Sequence, residues 1–326
     1  MEQKLLVRKY EPSDFNAWNA FVADAKNSTF LFNRDFMEYH SDRFTDYSLM
    51  IFDENKLIAI LPAHVSGEQV SSHFGLTYGG LVLLKSAKLA RVIAAFQSVL
   101  KYLHDNKISS LRIKNIPPIY HQLPSDEQQY ALFLAKGVLE RRDSLSVIDL
   151  TQTLSITKTR RESIRRGAKN GLAIREEANF EPFWNNVLIP NLAKKHQAKP
   201  VHSLAEIQSL QLKFPSNIRH FNVYQNEVVI AGTTVFVSDL VAHPQYVSGT
   251  ENKNETGALD FLYHHLITEV FADKRYFDFG ISNEDNGTKL NEGLVFWKES
   301  FGARTITQDF YEVLTANHVL LNNVLI

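Results

Sequence analysis

The sequence predicts an α/β (α+β) protein of two domains, each a mixed, mostly antiparallel sheet flanked by helices. Three observations carry that reading. The 326 residues exceed one ordinary core and suit two of about 150 each. A polar turn between two β-rich runs occurs twice, at Asp53-Glu54-Asn55 and at Gln225-Asn226-Glu227. In both halves that hairpin is followed by a further strand, a long helix and a short strand. The boundary is drawn after residue 152, giving domains 1–152 and 153–326, the second opening with a basic helix.

In the first half, Leu5–Tyr10 reads as a strand. Pro12, Ser13 and Asp14 open a helix carrying Phe15, Trp18, Phe21 and Val22 at helical spacing, and a short helix follows Asn33. Ser48–Phe52 and Lys56–Val65 form the hairpin, and Tyr78–Leu84 is extended. Ala87–His104 is an amphipathic helix with Val92, Ala95, Phe96, Val99, Leu100 and Leu103 on one side. Strand Ser110–Lys114, a helix near Ser125–Ala135 and a β region through Leu150 complete it. In the second half the order is strand Leu172–Glu176, helices Phe180–Lys195 and Ser203–Phe214, and hairpin Arg219–Tyr224 with Val228–Val237. Strand Leu240–Ser248, helix Gly257–Ala272, strand Tyr276–Phe279, a helix near Leu290–Ser300 and strand Arg304–Leu314 follow.

Composition narrows the function. Hydrophobic content of 44% and charged content of 22% are those of a globular protein. A net charge of −1 is no electrostatic match for DNA or an anionic membrane surface. With no cysteine, disulfides, thiolate metal sites and a Cys nucleophile are excluded. The N-terminus has no signal-peptide pattern, and the tail ending at Ile326 is too short for a membrane helix. A cytoplasmic protein with no transmembrane segment is expected. No metal-ligand spacing stands out, since His264 and His265 are adjacent on a helix and face apart. No catalytic metal is expected.

The sharpest motif is YFDFGISNEDNGTKLNEGLVFWKESFGA, residues 276–303. It resembles the segment of Fem-type peptidyl transferases and their BioF2-like relatives that runs Tyr-x-Asp-Phe-Gly, a polar loop, then Gly-Leu-x-x-Phe/Trp-Lys-x-x-Phe-Gly. Tyr276, Asp278, Phe279 and Gly280 match the first part; Gly293, Leu294, Trp297, Lys298, Phe301 and Gly302 match the second. The basic stretch TKTRRESIRRGAKNGLAIR resembles the family's helix leading into its second domain. Antiparallel strands followed by a crossover helix to a parallel strand is likewise the order of GNAT acyltransferases. The resemblance implies tandem GNAT-like domains and transfer of an acyl or aminoacyl group to an amine. In that fold the fourth and fifth strands splay to receive the donor's pantetheine arm, and a helix N-terminus receives its pyrophosphate. Lys298 matches the lysine that stabilises charge developing at the attacked carbonyl. The Gln/Arg-x-x-Gly-x-Gly/Ala pyrophosphate signature has no counterpart in SGTENKNETGALDF, and Gly257, which opens the helix there, is the candidate position for binding the donor through the helix's terminal amides.

Several other residues are candidates. Arg165, Arg166 and Lys169 lie on one side of the basic helix and suit a phosphate-rich ligand; a solvated linker helix is the equal alternative. His202 precedes a helix that Ser203 and Glu206 start with a capping box, and His243 lies with Tyr246 on the strand bordering the cleft. Either histidine is a candidate general base for a protonated amine. Trp297 and Tyr246 are assigned to the pocket lining. The segment Ser72–Gly80 offers His73 and Tyr78 beside glycines that let a ligand approach the backbone; a turn with a core-packed tyrosine is the alternative.

The expectation is therefore an acyltransferase working in the interdomain groove. No tightly bound cofactor is expected, and acyl-CoA or aminoacyl-tRNA serves as donor co-substrate. The acceptor is a small phosphorylated or amino-sugar molecule of the kind found in cell-envelope or polysaccharide precursors. The rivals are an aminoacyl-tRNA-dependent Fem-type peptidyl transferase and a non-catalytic GNAT-fold protein that binds phosphorylated glycan precursors. Oligomeric state is left open.

Overall fold

The computed structural model describes residues 5–324. The first four residues and the last two, on which parts of the leader and tail expectations rest, lie outside them. Two compact units are present, one formed by Met1–Asp143 with Thr307–Ile326, the other by Ser144–Ile306.

The first unit holds two sheets. Strands Leu6–Lys9, Leu49–Asp53, Lys56–Leu61 and Val82–Leu83 form one, antiparallel in that order. Thr45–Asp46, His64–Ser66, Gln69–Ser72, Ser110–Lys114 and residues 310–314 belong to the other, with Gln69–Ser72 parallel to Ser110–Lys114. The expected strand Lys56–Val65 breaks at Pro62, which has no N–H for a ladder. The chain turns there from one sheet to the other, and the Ser48 hydroxyl accepts the Ala63 N–H at the corner (3.2 Å). The extended stretch from Tyr78 shrinks to Val82–Leu83 because side chains take its amides: Leu81 N–H donates to Gln128 Oε1 and Leu83 N–H to Asn27 Oδ1 (2.5 and 2.8 Å). Helix Leu89–Asp105 buries the face read from its periodicity, with Phe96, Val99, Leu100 and Leu103 fully enclosed against the sheet.

The main sheet of the second unit is mixed, in the order Ala173–Glu176, Ile218–Gln225, Val228–Val237, Val241–Gly249, Tyr276–Ile281 and residues 145–149; Asn283–Glu284 and Lys289–Leu290 form a separate small hairpin. All pairs are antiparallel except Val241–Gly249 with Tyr276–Ile281. Helix Ala258–His265, extended by a π-helical turn at Leu266–Val270, makes the crossover between these two. The helix expected over 180–195 also contains a π turn, Trp184–Leu188, just before Pro190. Proline has no N–H to return to the carbonyl four residues back, and a widened turn accommodates the gap. Phe277, Phe271, Leu262, Leu266, Phe301 and Phe221 form the centre of this unit's core. No helix among the described residues is long and apolar enough to cross a membrane.

Candidate functional site at the splayed strands

The parallel pair in the second unit is registered at only two positions, Val241 with Tyr276 and Ala242 with Phe277. Beyond them the strands diverge, and their backbone groups leave the ladder. The next residue on each strand is His243 and Asp278, at the vertex of the opening. Asp278 is buried, at 1% exposure; its Oδ1 accepts the Gly280 N–H (2.7 Å) and its Oδ2 lies 3.2 Å from His243 Nδ1. The same imidazole nitrogen is 3.0 Å from the Asp278 carbonyl oxygen. Gly280 sits at φ +73°, a left-handed conformation that glycine adopts without penalty, and a Cβ there would stand 3.0 Å from His243 Cε1.

Lys298 comes to the same point from helix Glu292–Glu299, which Asn291 caps by accepting the Leu294 N–H (3.0 Å). Its side chain is buried, and its ammonium donates to the carbonyl oxygens of Gly280 and Ile281 (2.9 and 2.6 Å). A lysine ammonium has three donors, so one remains. Burial lowers its pKa to about 8, and the Asp278 charge opposes that shift. Lys298 is therefore not a surface side chain lying over Trp297. Trp297 packs on Tyr263, Phe279 and Phe301, and its indole N–H donates to Asp260 (2.8 Å). Asp260 in turn pairs with Arg160 of the basic helix (2.5 Å).

His202 and Tyr246 form a second group. The Tyr246 hydroxyl accepts the His202 backbone N–H (3.0 Å) and lies against Nδ1 of its ring, with Trp184 and Phe236 beside them. His202 is buried, and the capping box of Ser203 and Glu206 starts the next helix as read from sequence.

On the basic helix, Lys158–Lys169, residues Arg161, Arg165, Arg166 and Lys169 are exposed, while Ser163 and Gly167 face inward. Arg166 donates to the Asn254 carbonyl oxygen (3.1 Å). The space around Gly257, expected to admit a donor, is filled by this helix: a Cβ there would lie 2.4 Å from the Ser163 carbonyl oxygen. Just before it, Lys253 faces Lys195, and burial together with that like charge lowers the Lys253 pKa to about 8.

In the first unit, Tyr78 and His73 occupy interior positions. Tyr78 packs on Phe32 and Tyr120 and donates its hydroxyl proton to Thr29 (3.0 Å). His73 is the centre of a buried cluster that sequence reading missed. Its ring centroid lies 4.9 Å from that of His40 and 5.1 Å from that of His64. Burial, then His40 and His64, drive the His73 pKa down to about 2, so it is neutral and no proton shuttle near pH 7. Among the described residues no three such side chains converge to hold a metal ion. A separate cavity of about 320 Å³ in this unit is lined by Lys56, Lys88, Arg91 and Asp53 above an apolar floor.

A sheet whose antiparallel strands lead through a crossover helix to a splayed parallel partner defines a GNAT-type unit. The whole chain shares its fold with FemX: TM-score 0.66, 10% identity, 97% of this chain and 99% of that one. It is also similar to L-PGS from Bacillus licheniformis (0.59, 10%, 96% of each chain). A tandem GNAT protein from the clavulanic acid biosynthesis pathway is a further neighbour (0.52, 10%, 95% and 98%). No protein-family model and no curated protein matches the sequence. The chain thus has the fold seen in FemX and in this tandem GNAT protein.

Proposed function

We propose that this protein is an acyltransferase that moves an acyl or aminoacyl group to an amine, with its chemistry in the second unit. The observation that carries this is the meeting of Lys298, His243 and Asp278 at the vertex of the splayed strands. The donor's thioester or ester carbonyl enters the opening, and the acceptor nitrogen attacks its carbon. His243 takes the proton the nitrogen must lose, and the remaining ammonium donor of Lys298 stabilises the oxyanion. Tyr246, hydrogen-bonded to His202, lines the neighbouring wall, and Trp297, fixed by Asp260, backs the lysine.

The donor carries phosphate. The Lys195–Lys253 pair, between the end of helix Ile189–His196 and the short helix Lys253–Thr256 ahead of the crossover helix, is a like-charge contact that a bound phosphate would relieve. Arg161, Arg165 and Lys169 add an exposed cationic face that suits an aminoacyl-tRNA as donor as well as a nucleotide. The acceptor is a small amine-bearing molecule such as an amino sugar of a phosphorylated glycan precursor.

The test pairs a panel of acyl-CoAs and aminoacyl-tRNAs with amino-sugar nucleotides and reads transfer by mass spectrometry. With an identified pair, Lys298→Ala lowers kcat/KM by on the order of 10²–10³, the range for loss of an oxyanion donor. Lys298 acts as a cation, so wild-type kcat/KM falls as pH rises through about 8, and Lys298→Arg moves that limb upward. Full turnover in Lys298→Ala sinks the reading.

A further inference from the structure

Resting on the acyl-transfer reading, we propose that Asp278 is the positioning residue of the site, fixing which nitrogen of His243 receives the proton from the acceptor amine. His243 Nδ1 faces two oxygens of one residue, the Asp278 carbonyl at 3.0 Å and its carboxylate at 3.2 Å. Both are acceptors, so Nδ1 carries the proton and Nε2 keeps its lone pair. Among the described residues Nε2 has no hydrogen-bond partner, and the side chain retains 14% exposure, so a substrate can reach it.

The carboxylate is itself held. Gly280 donates its N–H to Asp278 Oδ1 at 2.7 Å, and the same glycine offers its carbonyl to Lys298 at 2.9 Å. One tight turn, closed by a residue at φ +73°, thus connects the proton acceptor and the cation through Asp278 and Gly280. The step balances without a further reactant. The acceptor nitrogen forms its bond to the carbonyl carbon and passes its proton to His243 Nε2. The bond from that carbon to the donor's sulfur or oxygen then breaks, and the leaving group takes the proton from Nε2 to depart as thiol or alcohol. Asp278 stays ionised throughout and offsets the imidazolium charge.

The experiment uses the full chain labelled with ¹⁵N at histidine. The His243 signals are assigned by their loss in His243→Gln. The wild type shows a protonated Nδ1 and an unprotonated Nε2; a protonated Nε2 in the neutral wild-type ring overturns the proposal without any variant. In Asp278→Asn the Gly280 N–H still needs an acceptor, so the amide oxygen turns to it and the NH₂ faces His243. The NH₂ then competes at Nδ1 with the backbone carbonyl of residue 278, so the Nε2–H tautomer becomes populated and turnover drops by up to about 10⁴, as when a carboxylate behind a catalytic histidine becomes an amide. An unchanged Nδ1–H tautomer would show that the backbone carbonyl alone sets it and would overturn the role of the Asp278 carboxylate. A flipped tautomer with unchanged turnover overturns the role of Asp278, while Lys298→Ala separately decides whether the vertex performs acyl transfer at all.

Discussion

Gly257 shows how much one missing Cβ decides in this molecule. It has φ +73°, and any side chain would meet the Ser163 carbonyl oxygen at 2.4 Å and the Gly167 nitrogen at 3.1 Å. Gly167 answers from the basic helix, where a Cβ would run into Phe261 at 2.5 Å. The two glycines let the basic helix close on the crossover helix. Gly257→Ala therefore combines left-handed backbone strain with a backbone clash, and we expect a loss of about 2–4 kcal/mol in urea unfolding. An unchanged urea midpoint would show that the helices can separate at no cost. At this scale the motif drew attention to Lys298 and Trp297, but it did not give the contacts that hold them. It stopped short at Asp278, which the motif includes but whose partner His243 lies 35 positions away. Nor did the run of Arg and Lys show that Arg160 turns inward to Asp260 while Arg161 and Arg165 face solvent.

Elements followed from periodicity wherever the backbone was free to obey it. Strands Ser110–Lys114, Val228–Val237 and Arg304–Leu314 have the ends read from sequence. Where side chains captured the amides, as around Leu81, or a proline interrupted them, as at Pro62, the pattern misled. The histidine cluster escaped because it joins three separate places in the chain: His40 follows helix Arg34–Met37, His64 is on a strand, and His73 directly follows strand Gln69–Ser72. Four buried ring nitrogens there, both of His40 and Nδ1 of His64 and His73, have no hydrogen-bond partner among the described residues. Burial lowers the pKa of all three, to about 4 at His40 and about 2 at His73. Their folded pKa values lie below that of the unfolded chain, near 6.5, so the unfolded state binds the extra protons. Stability is then fully present above pH 6.5 and is lost as pH falls below it. His73 alone implies a loss of about 2 kcal/mol between pH 7.5 and 5. Urea midpoints of His73→Asn, a neutral residue that tolerates its φ of +44°, should fall less over that interval than those of the wild type. Equal falls would mean that the cluster is not what acid attacks.

For the molecule as a whole, chain order and spatial order part company at the C-terminus. The recurring hairpin, strand, helix and strand made two units legible, but nothing in local pattern says which unit owns the final strand. The structure gives Thr307–Ile326 to the first unit. Residues 310–314 pair with Ser110–Lys114, Val313 and Leu321 enter that unit's core, and the Thr315 hydroxyl donates to the Ile108 carbonyl oxygen, 207 positions back (2.6 Å). Such pairing is invisible to a window of a dozen residues, because closing a long loop is settled by total burial rather than by local propensity. The consequence can be tested by ending the chain at Ile306. The truncated protein loses a strand, two core side chains and the Arg142–Asp309 ion pair from a unit whose other residues all precede Ser144. We expect hydrogen exchange in 49–113 to accelerate by orders of magnitude, with 218–249 far less affected because its sheet partners all lie between Ala173 and Phe277. Equal protection of 49–113 in the full and shortened chains would show that the last strand is dispensable to the first core.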